Sequence, residues 1–183
     1  THRQSSAASD VYKRQAPNTG VPDMLNGRAI YRFKETPPMP TYLVAVAIGP
    51  LDVAEDVKYN LKRLDGSALK IRFITPFGRA SDARTALRYA AEVVRDQEAY
   101  FGSPYPYRKL DLVAVPDFGA GAMENAGLIT YRDSLLLFDE SKAPASSLRR
   151  YYGIHAHEIA HMWFGNLVTM QWWDDLWLNE AFA

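Results

Sequence analysis

His157-Glu158-Ile159-Ala160-His161 sets two imidazoles four positions apart, with a carboxylate next to the first. On a helix of 3.6 residues per turn, His157 and His161 project from one face a turn apart, so both can reach one ion. Zinc suits such a pair, because it accepts neutral imidazole nitrogen and carboxylate oxygen. A catalytic zinc takes three protein ligands and keeps a fourth position for water. Glu158 follows His157 by about 100° of helix rotation, so it can flank the ion without binding it and take a proton from that water. A third ligand is needed, and Glu180 is the candidate. It follows His161 after eighteen intervening residues, on a further helix that Asp174 or Asp175 could cap. The bland alternative is two ordinary helix histidines and a solvated glutamate; it fits an isolated H-E-x-x-H better than one followed by a glutamate. His155 lies two residues before His157, on a different helix face, and reads as a packed histidine rather than a ligand.

A second constellation is Gly121-Ala122-Met123-Glu124-Asn125. Glycines at 119, 121 and 127 would let backbone approach a ligand, as at a sheet edge that takes up a peptide as an added strand. Glu124 could hold a substrate ammonium by a charge-assisted hydrogen bond. Taken alone, an acidic residue in such a loop is more often just solvated.

The elements that must position these groups change character once along the chain. From Ala29 to about Thr75, the β-rich runs AIYRFKE, TYLVAVAI, VKYNLKRL and LKIRFI are separated by the turn formers TPPMP and DGS. Tyr42 to Pro50 reads as a buried strand, and Lys70 to Ile74 alternates as a half-buried one does. Ser81 or Asp82 can cap a helix with Ala83, Leu87, Ala90 and Val94 on one face, ending near Gly102. Leu110 to Val115 is a further strand, followed by the glycine-rich loop and the short run Leu128 to Tyr131. Ser147 to Phe164 is helical, with Gly165 where a helix-terminating glycine would sit.

The chain of 183 residues carries 21 basic and 21 acidic residues and is 48% hydrophobic, ordinary globular material. A formal charge of zero gives no electrostatic reason to expect nucleic acid or an anionic membrane as partner. Without cysteine there is neither a disulfide framework nor a thiolate metal site, though this does not decide the compartment. No apolar run approaches the ~20 residues that span a bilayer. Thr1 to Gln15 lacks the order of a signal peptide; its string SSAASDVYKRQ resembles a translated sequencing-adapter scar, and its composition also fits a disordered tail. Ala183 stops within an apolar-periodic segment with no terminating signal, which suggests a truncated product whose native N-terminus is missing too.

GAMEN at 121 to 125, HEIAH at 157 to 161 and WFGNLVTMQWWDDLWLNEAFA from Trp163 to Ala183 together resemble the aminopeptidase N family of gluzincin metallopeptidases. The runs TPPMPTYLVAVAIGP and FGSPYPYRKLDLVAVPDF look similar to the same family, so the likeness covers roughly residues 25 to 183. The resemblance implies an α+β chain in two parts. Residues 16–55 would end an N-terminal β-sandwich-like domain, and residues 56–183 would begin a thermolysin-like catalytic domain; residues 1–15 stand apart. It implies one zinc per chain, held by His157, His161 and Glu180, with Glu158 as general base. Glu124 would recognise the free α-amino group, within a substrate-binding stretch of Gly121, Ala122, Met123, Glu124 and Asn125 whose Gly121-Ala122 backbone aligns the peptide. Asn179 would support the ligands. Substrates would be peptides with a free N-terminus, cleaved one residue at a time.

Relatives of this family also carry an oxyanion-stabilising tyrosine beyond the glutamate ligand, and this chain ends three residues after Glu180. Loss of one such donor costs ~10²–10³ in rate, and much of the domain's core would be missing too, so the 183-residue chain alone is expected to be unstable and nearly inactive. Leukotriene hydrolase relatives share the zinc set but carry glycine where Ala122 stands. A thermolysin-like endopeptidase needs no GAMEN loop, and metal-free scaffold relatives do not need the intact His157, Glu158, His161 and Glu180.

Overall fold

The computed structural model describes residues 23–25, 28–30, 36–137 and 139–183. Near its start β1 (Asp23–Leu25) pairs antiparallel with β2 (Arg28–Ile30). The strand expected from Ala29 thus begins within β2, while its continuation and the tail of residues 1–15 lie outside the described residues.

A mixed sheet follows. It is built from β3 (Leu51–Ala54), β4 (Leu61–Lys62), β5 (Ala68–Pro76), β6 (Lys109–Val115), β7 (Ala122–Met123) and β8 (Leu128–Arg132). Its order is β3-β5-β6-β8-β7, with β4 also on β5. The centre is parallel, with Phe73 opposite Leu112 and Val113 opposite Thr130, whereas β3 and β7 run antiparallel at the two edges. The parallel step from β5 to β6 requires a crossover, supplied by α1 (Ala83–Phe101). Its expected apolar face at Ala83, Leu87, Ala90 and Val94 is buried, and Gly102 ends it at φ 61°, in the left-handed region glycine favours. Asp82 occupies the capping position but makes no capping bond; its carboxylate instead takes Arg79 Nε at 2.8 Å.

α2 (Asp133–Leu136), α3 (Ala145–Ala160) and α4 (Leu176–Phe182) complete the described elements. α3 packs on α1, where Gln97 donates to the Ala156 carbonyl at 2.7 Å, and Ile159, Met162 and Trp163 enter the main core. No helix of the described residues is long and apolar enough to cross a membrane.

Four expectations need correction. Tyr42 to Pro50 is not a buried strand: Thr41–Leu43 is a 3-10 turn, and beyond it Val46 and Ile48 are 55% and 89% exposed. VKYNLKRL forms a 3-10 turn at Val57–Tyr59 and only a two-residue strand, because polar side chains take up backbone donors there. Asp56 accepts from Lys58 N–H, and Asn60 accepts from Ile71 N–H. β5 is buried on both faces from Ile71 to Thr75, rather than on one. Arg72 tolerates this because Asp111, at 2.6 and 2.7 Å, and Lys109 beside it form a buried ionic cluster across β5 and β6. Finally, α3 spans 145–160 rather than 147–164, its last turn tightening through Met162 N–H to Ile159 and Trp163 N–H to Ala160.

Candidate active site

Three elements meet at the chemistry-bearing residues: α3, the edge strand β7 with the residues after it, and α4. α3 is fixed by its apolar side, where Trp163 lies 5.1 Å from the Phe101 ring and 5.7 Å from that of Tyr105. This packing turns His157 and His161 toward α4, and His161 is almost wholly buried. The His157 and His161 Nε2 atoms are 3.2 Å apart, and Glu180 Oε2 stands 3.5 Å from the first and 3.6 Å from the second. These three residues form a set with metal-ligand spacing among the described residues.

The set suits a divalent cation. Donor atoms at those separations lie on a circle of radius about 2 Å, close to zinc–nitrogen bonding distance. The Nδ1–H of His161 donates to the Phe164 carbonyl at 3.1 Å, which leaves the Nε2 lone pair for a metal. Burial first, and the neighbouring His161 second, pull the His157 imidazole below its ordinary value, favouring the neutral ligand form.

Glu158 is 7% exposed, and its Oε2 is buried without a hydrogen-bond partner. Burial, then the negative charges of Glu124 and Glu180, push its carboxyl up to about 8. A buried carboxyl group with an uncommitted oxygen thus stands beside three metal-type donors. His155 is fully buried, with Nδ1 3.3 Å from the Tyr131 hydroxyl and its ring against Tyr151; burial alone pushes it down to about 3, so it is a neutral core residue.

The expected loop is partly a strand. Ala122 and Met123 pair with Tyr131 and Thr130, making β7 the outermost strand of the sheet order, and Gly121 receives Arg132 N–H at 2.8 Å. Of the glycines named there, only Gly127 needs its identity: φ is 66°, and an added Cβ would meet the Lys109 carbonyl at 3.2 Å. Glu124 is 7% exposed, and no Lys or Arg among the described residues pairs with it. It is close enough to act electrostatically on His157 and Glu158. Asn125 is committed to structure, donating to the Leu43 carbonyl at 3.3 Å and accepting from the Thr130 hydroxyl at 3.0 Å.

A model of the Peptidase family M1 domain matches residues 85–183. The chain belongs to peptidase family M1. Aminopeptidase M1-A of Oryza sativa subsp. japonica is 47% identical over 89% of this chain and 18% of its own length. Aminopeptidase M1 of Arabidopsis thaliana is 46% identical over 88% and 18%, and glutamyl aminopeptidase of Bitis rhinoceros 46% over 82% and 15%. This chain thus spans less than a fifth of the length of these relatives, and the aminopeptidase N likeness read from its motifs is borne out.

This M1 chain holds its site with residues that no motif announced. Asn166, 3% exposed, donates to the Glu124 carbonyl at 2.9 Å while its own N–H reaches the His161 carbonyl, tying the stretch after β7 to the end of α3. Gly165 has φ 114°, and an added Cβ would meet His161 Nδ1 at 3.2 Å and Asn179 Cγ at 3.4 Å. Tyr42 comes from over a hundred residues upstream: its hydroxyl accepts from Asn179 Nδ2 at 3.0 Å. A small residue after a helix end was a visible signal for Gly165; nothing in local sequence pointed to Tyr42 or Asn166. The capping expected of Asp174 or Asp175 is replaced by a 3-10 turn at Trp173–Asp175 that leads into α4, with no side-chain capping bond.

Proposed function

We propose that the protein carrying this chain is a zinc-dependent aminopeptidase that releases N-terminal amino acids from peptides. The observation that carries this reading is the convergence of His157, His161 and Glu180 donor atoms within 3.6 Å of one another, beside Glu158. His157, His161 and Glu180 would hold one zinc per chain. Bound there, zinc would supply Lewis acidity, polarising a carbonyl and lowering the pKa of a coordinated water from 15.7 to about 7.

Glu158 accepts the proton of the attacking water and passes it to the departing amine. Its burial keeps bulk water from competing for that proton, and a cation beside it would offset the push that Glu124 and Glu180 exert. The outer edge of β7 offers backbone at Gly121, Ala122 and Met123 to an extended peptide added as a further strand, with Asn125 fixing the end of that stretch. Glu124 receives the peptide's α-ammonium. Its buried charge is compensated only when a cation docks, so an internal segment, which brings none, leaves the carboxylate unpaired. Selectivity for the chain end follows from that electrostatic penalty. We also assign residues 16–55 to the end of a β-sandwich-like domain and residues 56–183 to the first part of a thermolysin-like one; the family match over residues 85–183 supports the latter, while β3 (Leu51–Ala54), paired with β5, crosses the boundary drawn at residue 55.

The test compares a free peptide with its N-acetylated form in the intact protein, before and after metal chelation. The free peptide should be cleaved, the blocked one rejected, and added zinc should restore activity lost to the chelator. Equal cleavage of both peptides, or indifference to chelation, sinks the reading.

A further inference from the structure

The 3-10 turn Thr41–Leu43 contributes no chemistry, yet it touches both halves of the site. The Leu43 carbonyl receives Asn125 Nδ2 at 3.3 Å, beside the substrate loop. One residue earlier, the Tyr42 hydroxyl accepts from Asn179 Nδ2 at 3.0 Å and donates to the Gly165 carbonyl at 3.4 Å. The Tyr42 ring leans on Trp173, with centroids 5.2 Å apart, just before α4. Tyr42 therefore joins two segments that must be held in register: the chain leaving α3 behind His161, and the helix that carries Glu180.

α4 needs such a tie. Asn179 is its one buried residue, 2% exposed, while the adjacent Glu180 side chain is 51% exposed and reaches the histidines from the solvent side. Within this chain Glu180 is placed through the backbone that it shares with Asn179. The backbone at 179 and 180 is in turn fixed where Asn179 sits between Tyr42 and Gly165.

We propose that Tyr42 is a positioning residue for the metal centre, its hydroxyl linking Asn179 to Gly165 so that Glu180 is held against His157 and His161. The inference rests on the reading of those three residues as metal ligands. It makes metal binding depend on a residue upstream of residue 55, where the sequence suggested one domain ends and another begins. The turn is thus a strut of the site rather than a linker.

The test uses the intact protein and Tyr42→Phe, which keeps the ring against Trp173 and removes only the hydroxyl. Zinc affinity is measured by competition with a chromogenic chelator, and the unfolding midpoint of the metal-free protein is measured alongside. Zinc should bind roughly 10- to 100-fold more weakly, the range for loss of a group that orients a ligand, while the metal-free midpoint stays near that of the parent. Asn179→Leu, which cuts the same link from the other side, should weaken zinc to a similar degree, and the double variant should be no worse than the weaker single one. Parent-like zinc affinity in Tyr42→Phe overturns the proposal, as does additive loss in the double variant or a weakening matched by a fall in the metal-free midpoint. A parent protein that binds no zinc at all removes the metal-centre reading itself, and this inference with it.

Discussion

Gly165→Ala perturbs the site at a backbone position with no room for a side chain. The residue sits at φ 114°, where an L side chain is strained, and its new Cβ would stand 3.2 Å from the Nδ1 of His161. That nitrogen is the one held by the Phe164 carbonyl, so the methyl group presses on the bond that orients the ring. Backbone held in a sparsely populated region costs about 1–3 kcal/mol, or roughly 5- to 150-fold in an equilibrium constant. If the fold absorbs the strain, the metal-free protein loses stability by that amount. If the ring yields instead, zinc affinity falls roughly 10- to 100-fold. Urea midpoints of the metal-free protein and chelator competition on the parent together capture both routes. Gly153→Ala is the matched control. It lies inside α3, nothing stands within 4 Å of an added Cβ, and the change should stabilise by about 0.4–1 kcal/mol. A Gly165→Ala protein with parent-like midpoint and parent-like zinc affinity would refute the reasoning, because neither cost would then be present.

Three further outcomes follow from the same geometry. Asp111→Asn removes the anion shared by Arg72 and Lys109 in the centre of the sheet, and should cost about 3–5 kcal/mol by chemical denaturation. Burial alone would raise the Asp111 carboxyl, but Lys109 and Arg72 hold it below the usual range. Its contribution is therefore present above about pH 4 and lost as pH falls through the lower folded value, so the variant's midpoint should vary less with acid than the parent's. Glu158→Gln should retain zinc by metal analysis yet lose roughly 10²–10⁴ in kcat, since it removes the proton acceptor and no ligand. Glu124→Gln should cut kcat/KM for free peptides by roughly 10- to 150-fold, the worth of a hydrogen bond to a charged group, without a matching loss on acetylated peptides, whose docking no longer leaves a buried charge unpaired. A uniform loss on both substrates would instead make Glu124 a structural residue.

Local pattern was sufficient wherever a short stretch of chain decides its own environment. Helical spacing alone put His157 and His161 on one face of α3, and the α1 face at Ala83, Leu87, Ala90 and Val94 is buried as its period required. The same reasoning separated His155, which is packed against Tyr131 and Tyr151. It failed where burial or hydrogen bonding comes from distant residues. The apolar run after Tyr42 read as a buried strand because composition reports how apolar a segment is and not what covers it; Val46 and Ile48 are exposed. Arg72 looked like the polar side of a half-buried strand, and only its pairing with Asp111 across β5 and β6 allows it to be inside.

The sequence by itself determined which groups are available: two imidazoles, a glutamate after eighteen intervening residues, and a carboxylate beside the first histidine. Tertiary structure alone decided their distances, because the register between α3 and α4 is set by contacts separated by up to 137 positions in the chain. A helix fixes neighbours through its own period, but nothing in that period fixes the angle at which another helix arrives. Here that angle is set by a tyrosine hydroxyl, a buried asparagine and a glycine with no room for a side chain.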